Sequence, residues 1–132
     1  MLDLSGRVAV ITGGSGALGL GVAKELNGLG AHVILLGRSV DKLNKALSQI
    51  NSTSGSSSFY ECDVGNEDSL EQAAKKIYDA HPTVDILVTC AAGPAAAGKF
   101  EESSFDEWRS LLATDLDGVY LACRIFGKSM IE

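Results

Sequence analysis

An α/β fold, a parallel sheet wound on both faces by helices, is what this sequence predicts, and three observations carry the expectation. Short apolar runs recur at residues 8–11, 33–36 and 86–89, which is how strands buried on both faces read. Between them lie stretches whose apolar residues fall three and four apart, the spacing of helices. The two kinds of run alternate along the chain, and that alternation is the mark of parallel strands joined by helical crossovers.

Residues 1–7 form a polar lead into the first strand, Val8-Ala9-Val10-Ile11. This run breaks into Thr12-Gly13-Gly14-Ser15-Gly16-Ala17-Leu18-Gly19, and a helix follows in which Leu18, Val22, Leu26 and Leu29 recur at helical spacing until Gly30 stops it. Gly14-x-Gly16-x-x-Gly19 fits the dinucleotide fingerprint. In that pattern the first glycine permits a tight turn, the second lets backbone approach a pyrophosphate, and the third lets helix pack on strand. The unpaired N–H groups at the helix start would hold the phosphates. A second strand at residues 33–36 completes a βαβ unit of Rossmann type.

Gly37-Arg38-Ser39 turns into a second helix with Val40, Leu43, Leu47 and Ile50 on one face. Residues 51–58, rich in serine, read as a surface loop, and Phe59 and Tyr60 start a third strand that ends near Cys62. Asp63-Val64-Gly65-Asn66 leads into a third helix carrying Leu70, Ala73, Ala74 and Ile77, stopped by His81-Pro82. The fourth strand is Ile86-Leu87-Val88-Thr89, followed at residues 91–99 by a small-residue loop suited to close approach to something flat, or to a lid. Ser104 with Glu107 three residues on makes a capping box. From there Trp108, Leu112, Leu116, Val119, Cys123, Phe126 and Met130 keep helical spacing to the end. Right-handed crossovers order the strands 3-2-1-4, with the ligand site beyond their carboxyl ends, where the order reverses. Residues 13–18, Asp63 and residues 89–93 are expected in that crevice.

The 132 residues suit one domain, with 11 Lys and Arg against 17 Asp and Glu and a net charge of -6. No basic block is present to neutralise many phosphates, so a nucleic-acid partner is excluded, and an anionic ligand must be held locally by loop amides and a particular cation. No apolar run approaches the roughly 18 residues of a membrane span, nor does a basic region precede a hydrophobic one at the start. A soluble, cytoplasmic protein without a membrane partner is expected. Cys62, Cys90 and Cys123 lie far apart and are expected as small buried side chains, with neither a disulfide framework nor a metal site. His32 and His81 are isolated and read as structural.

Three stretches resemble the short-chain dehydrogenase/reductase family. Residues 12–19 are similar to its Thr-Gly-x-x-x-Gly-x-Gly loop, with Ala17 where the middle glycine is usual. Asp63-Val64 resembles the pair whose aspartate contacts adenine, and residues 85–93 resemble the strand ending in Asn-Asn-Ala-Gly, with Thr89 and Cys90 replacing the asparagines. The resemblance implies an NAD(P)-binding domain over residues 1–132, with cofactor contacts at Gly13, Ser15, Gly16, Leu18, Asp63, Val64, Cys90, Ala91 and Ala92. It implies hydride transfer to or from a small carbonyl, alcohol or enoyl-type substrate, in a parent that is a homo-oligomer. Cys90-Ala91-Ala92-Gly93 is similar to the dienoyl-CoA reductase branch. Thr114-Asp115-Leu116-Asp117-Gly118 stands where the family has Asn-x-x-Gly; its aspartate resembles the peroxisomal type of that branch and implies an active-site role for Asp115, the alternative being a solvated acid. The peroxisome is then the alternative location. The loop and first helix also resemble sugar-acid oxidoreductases.

Cofactor choice follows from charge. NAD-specific sites place a carboxylate at the end of the second strand, where it bonds the ribose hydroxyl and repels a 2′-phosphate. Here Gly37 stands at that end with Arg38 next. The planar arginine fork fits a phosphate, so NADP(H) is expected over NAD(H), unless Asp41 draws the guanidinium away. The family's serine and Tyr-x-x-x-Lys pair do not occur in residues 1–132; Tyr120 is followed four residues on by Arg124. The chain is therefore expected to be the N-terminal half of a reductase, truncated after four strands, inactive alone and with an uncovered fourth strand. Two functions stay open: an NADP(H)-dependent oxidoreductase, or a nucleotide-binding module without chemistry.

Overall fold

The computed structural model describes residues 2–50, 54–94 and 98–132. Four strands, β1 (Val8–Thr12), β2 (His32–Gly37), β3 (Ser57–Glu61) and β4 (Ile86–Thr89), form one parallel sheet in the order β3-β2-β1-β4. The expected 3-2-1-4 order holds. Val8 pairs with His32 and Thr12 with Leu36 on one side of β1, while Ala9 pairs with Ile86 and Thr12 with Thr89 on the other. All five residues of β1 are buried, as a central strand flanked on both edges and covered on both faces must be.

Side chains alternate across a strand, and here the alternation feeds two cores. Val8, Val10, Ile34 and Leu36 face α3 (Glu67–Ala80) and α5 (Gly118–Met130), packing with Leu70, Ile77, Ala122 and Phe126. Ala9, Ile11, Val33 and Leu35 face α1 (Ala17–Gly28) and α2 (Val40–Ser48), packing with Ala23, Leu43 and Ala46. The remaining helix, α4 (Phe105–Leu112), carries the expected capping box between Ser104 and Glu107. It runs into α5 through a wide π turn at Ala113–Asp117.

Several expectations need correction. Ser57 and Ser58 belong to β3 rather than to the preceding loop, their hydroxyl-bearing strand being half-buried at the sheet's outer edge. Residues 51–53 and 95–97 of the two expected loops lie outside the described residues. In α1 the buried face is Gly19, Ala23 and Asn27, while Leu18 is 71% exposed. Small residues win there because close helix-on-strand approach leaves no room for large ones: a Cβ on Gly19 would stand 2.3 Å from the Gly13 carbonyl oxygen. In α5 the buried residues are Gly118, Ala122 and Phe126, whereas Leu116 is 61% and Trp108 48% exposed. The π turn adds residues to one turn of helix, so an apolar face projected through it emerges out of phase.

Nor are the histidines isolated. Their rings stack with centroids 4.5 Å apart, and the two ring nitrogens of His32 meet the hydroxyls of Ser56 and Ser58. Only Cys62 among the cysteines is buried; Cys90 is half-buried and Cys123 exposed. Among the described residues no helix is long and apolar enough to cross a membrane.

Candidate cofactor site

A groove of about 700 Å³ lies beyond the carboxyl ends of β1, β2 and β4, within the range of small-molecule and cofactor clefts. Its position follows from topology: crossovers from β1 leave in opposite directions, so the loops after β1 and β4 part above the sheet. The turn after β1 builds one wall. Gly13, with φ +64, sits in the left-handed region, and a Cβ there would come within 2.7 Å of the Ala91 backbone and the Cys90 carbonyl oxygen. Gly16 donates its N–H to the Gly13 carbonyl and precedes α1 as its cap without a side chain. The start of α1 thus opens on bare backbone, the arrangement that accepts an anion.

Thr12 ties the walls together. Its buried Oγ1 accepts the N–H groups of Cys90 and Ala91, each at 3.2 Å. This threonine closes β1 onto the segment after β4 and fixes the groove's width. Its signal in the sequence was a hydroxyl at the end of a fully apolar strand, where burial obliges it to find partners.

Every expected cofactor residue, Gly13, Ser15, Gly16, Leu18, Arg38, Asp63, Val64, Cys90, Ala91 and Ala92, lines this groove. Gly14, Thr89 and Gly93 do not. Gly14 is buried against β2, where a Cβ would stand 2.7 Å from the Leu35 Cβ, so its smallness serves strand packing; of the fingerprint glycines, Gly16 and Gly19 line the groove, as does Gly13 before them. Ser39, Lys42 and Thr114 also line it and were missed. Lys42 could have been found from its place four residues after Arg38, across the cap of α2.

The groove's charged residues are Arg38, Lys42 and Asp63. Arg38 makes no ion pair with Asp41 among the described residues, so its guanidinium is not drawn off. Asp63 accepts the Gly65 N–H at 3.0 Å, while its own N–H donates to Ser69 Oγ at 3.0 Å, which orders the turn after β3. Burial pushes the Cys62 thiol at the groove up to about 11, so it stays protonated at neutral pH and is no nucleophile.

Asp115 lies in the π turn, exposed and beside the groove-lining Thr114. Its Oδ1 accepts the Gly93 N–H at 2.6 Å, pinning the segment after β4 to the start of α5. Gly118 begins α5 against β3's end, where a Cβ would stand 2.8 Å from the Val64 side chain. In this geometry the Asp115 oxygen positions a loop of the groove.

Residues 7–132 match the short chain dehydrogenase family. D-threitol dehydrogenase of Mycolicibacterium smegmatis is 31% identical over 129 residues, covering 98% of this chain and 49% of that protein. An NADP-dependent (R)-specific alcohol dehydrogenase of Lentilactobacillus kefiri is 33% identical over 122 residues, covering 92% of this chain and 48% of that protein. The crystal structure of a metagenomic short-chain oxidoreductase in complex with NADP superposes with a TM-score of 0.89 at 35% identity, covering 97% of this chain and 58% of that one. The chain spans about half the length of these curated relatives. With that match running along nearly its whole length, the chain belongs to the short-chain dehydrogenase family.

Proposed function

We propose that residues 1–132 are the nucleotide-binding half of an NADP(H)-dependent oxidoreductase. The observation that carries this is the groove with bare backbone on one side, at Gly13 and Gly16, and on another Arg38, which makes no ion pair among the described residues. The residues fit the cofactor: Gly13 and Gly16 line the groove without side chains, and α1 begins at Gly16 with no side chain capping its first amides. Gly13, Ser15, Gly16 and Leu18 would hold the pyrophosphate, Arg38 the 2′-phosphate, Asp63 and Val64 the adenine, and Cys90, Ala91 and Ala92 the nicotinamide side. When bound, the nicotinamide supplies or accepts the hydride. What this chain adds is orientation, a dry floor of small side chains and a charge that selects the phosphate.

Support for NADP(H) over NAD(H) comes from Arg38 and from the NADP named for two of the similar proteins. Substrates to be tried are D-threitol and a simple alcohol, after the two dehydrogenases named above, a 2,4-dienoyl-CoA, after Cys90-Ala91-Ala92-Gly93 and Asp115, and a keto-sugar acid. A cytoplasmic location and a homo-oligomeric whole protein belong to the same reading. A second reading, binding without turnover by this chain alone, is favoured by the lining of the groove, to which no tyrosine contributes among the described residues. Tyr120, with Arg124 four residues on, lies outside the groove, and Arg124 is engaged with Glu67 and the Tyr120 ring.

Fluorescence titration with NADPH and NADH tests the proposal. Wild type should prefer NADPH, and Arg38→Ala should cost NADPH about 1.5 to 3 kcal/mol, the worth of a charge-assisted bond, while sparing NADH. Equal losses for both cofactors would overturn the assignment of Arg38.

A further inference from the structure

A nucleophile and a base meet at the end of the sheet opposite the groove. His32 opens β2, and Ser56 stands immediately before β3. The Ser56 Oγ lies 2.5 Å from His32 Nδ1, and the Ser58 Oγ lies 3.0 Å from His32 Nε2. A hydroxyl on one ring nitrogen and an orienting group on the other is the arrangement that activates a serine.

The two distances assign the proton of the ring. An N–H donor holds its acceptor about 2.7 to 3.2 Å away, whereas O–H donors reach shorter. The 2.5 Å contact is therefore the Ser56 O–H donating to Nδ1, and the 3.0 Å contact is Nε2–H donating to the Ser58 Oγ. In this tautomer Nδ1 carries the lone pair that takes the Ser56 proton. The ring is neutral at pH 7, because burial and then the stacked His81, from the end of α3, hold its pKa below 6.5. Arg7, whose carbonyl oxygen accepts the His32 N–H, turns its guanidinium to Asp85 instead.

Ser56 is both held and reachable. Its carbonyl oxygen accepts the Val33 N–H at 2.9 Å and the buried Asn27 Nδ2 at 2.8 Å, so its backbone is fixed from β2 and from α1. Gly55 beside it runs so close to the turn before β2 that a Cβ there would stand 2.2 Å from the Ala31 carbonyl oxygen. The Ser56 side chain is exposed, whereas Ser58 is half-buried. Ser48 and Ser103 are exposed too, yet their hydroxyls donate at 2.7 Å to backbone carbonyl oxygens, which do not act as bases.

We propose that Ser56 is an acyl-acceptor site, its hydroxyl activated by His32 towards activated esters and thioesters. The Oγ attacks the acyl carbonyl carbon, and the new C–O bond forms as the bond from that carbon to the leaving oxygen or sulfur breaks. The serine proton passes to Nδ1 and from there to the leaving group, so the products are an O-acylserine and an alcohol or thiol, with no change of oxidation state. The site is independent of the groove and stands whether or not the groove binds a nucleotide.

The test treats the 132-residue chain with p-nitrophenyl acetate, following nitrophenolate by absorbance and locating acetylated peptides by mass spectrometry. At pH 7.5 Ser56 should take up one acetyl group about a hundredfold faster than Ser48 or Ser103, the low end of what a positioned general base contributes. His32→Gln should bring Ser56 down to the rate of those two, with circular dichroism confirming the fold, and Ser58→Ala should leave Ser56 ahead of them. Wild type alone supplies a second measurement. Its Ser56 rate should level off above about pH 6.5, where the imidazole is already neutral, while Ser48 and Ser103 keep climbing with pH. Equal labelling of the three serines, or a Ser56 rate that climbs without levelling, would overturn the assignment. Fast labelling of Ser56 that survives His32→Gln would overturn it as well.

Discussion

At the foot of β2, His32 stacks on His81 and lies between two serine hydroxyls, a setting built for a neutral imidazole. Burial first, then the neighbouring His81, hold its pKa below the usual 6.5. The unfolded chain therefore takes up this proton at higher pH than the folded one. The contribution is fully present above about pH 6.5 and is lost as pH falls from there toward the lowered value. Urea midpoints measured between pH 7.5 and 5 should fall in wild type and fall less in His32→Gln; parallel decline in both would move the cause elsewhere. Residues of this kind were hard to read in the sequence. His32 and His81 sit far apart along the chain and meet only because a crossover returns the end of α3 beside the start of β2. Arg38, by contrast, was legible, since the residue after the second strand's glycine is placed by the βαβ unit itself.

Elements divide along similar lines. The central parts of β1 and β2 could be read directly, because a strand buried on both faces is a continuous apolar run, and the half-buried β4 could be read from its short apolar run Ile86-Leu87-Val88. Among the helices, the face of α3 could be read, Leu70, Ala73, Ala74 and Ile77 all being buried, whereas that of α1 could not, because spacing selects large apolar residues and tight packing on a parallel sheet selects small ones, as Gly19 and Ala23 show. The π turn between α4 and α5 left no mark in the sequence beyond Gly118, yet it brings Asp115 to the Gly93 N–H. Asp115→Ala should release that amide. Hydrogen exchange followed by NMR is expected to speed at Gly93 about tenfold or more, from loss of a charge-assisted bond, with the sheet amides unchanged. Asp115→Asn, which keeps an acceptor oxygen, should restore most of the protection. An unaltered Gly93 rate in the alanine variant would show that this bond does not hold the segment.

For the whole molecule, β4 is an outer strand whose apolar residues are only half-buried, and among the described residues no strand pairs with its second edge. The 132-residue chain is expected to associate through that edge and to oxidise NADPH with none of the substrate classes named above. Light scattering alongside NADPH absorbance decay checks both, and steady turnover by a monodisperse monomer would refute the reading of binding without chemistry. The division of the interior into two cores has a consequence for how such a sequence can change by insertion and deletion. In β1 the odd and even positions belong to different interiors, with Val8 and Val10 on one face and Ala9 and Ile11 on the other. One residue gained or lost within Val8–Thr12 would exchange the two sets and misfit both interiors at once. Two residues would restore the faces but shift Thr12, and with it the hydroxyl that ties β1 to the segment after β4. The first strand is thus held to its length by parity and by its last residue together.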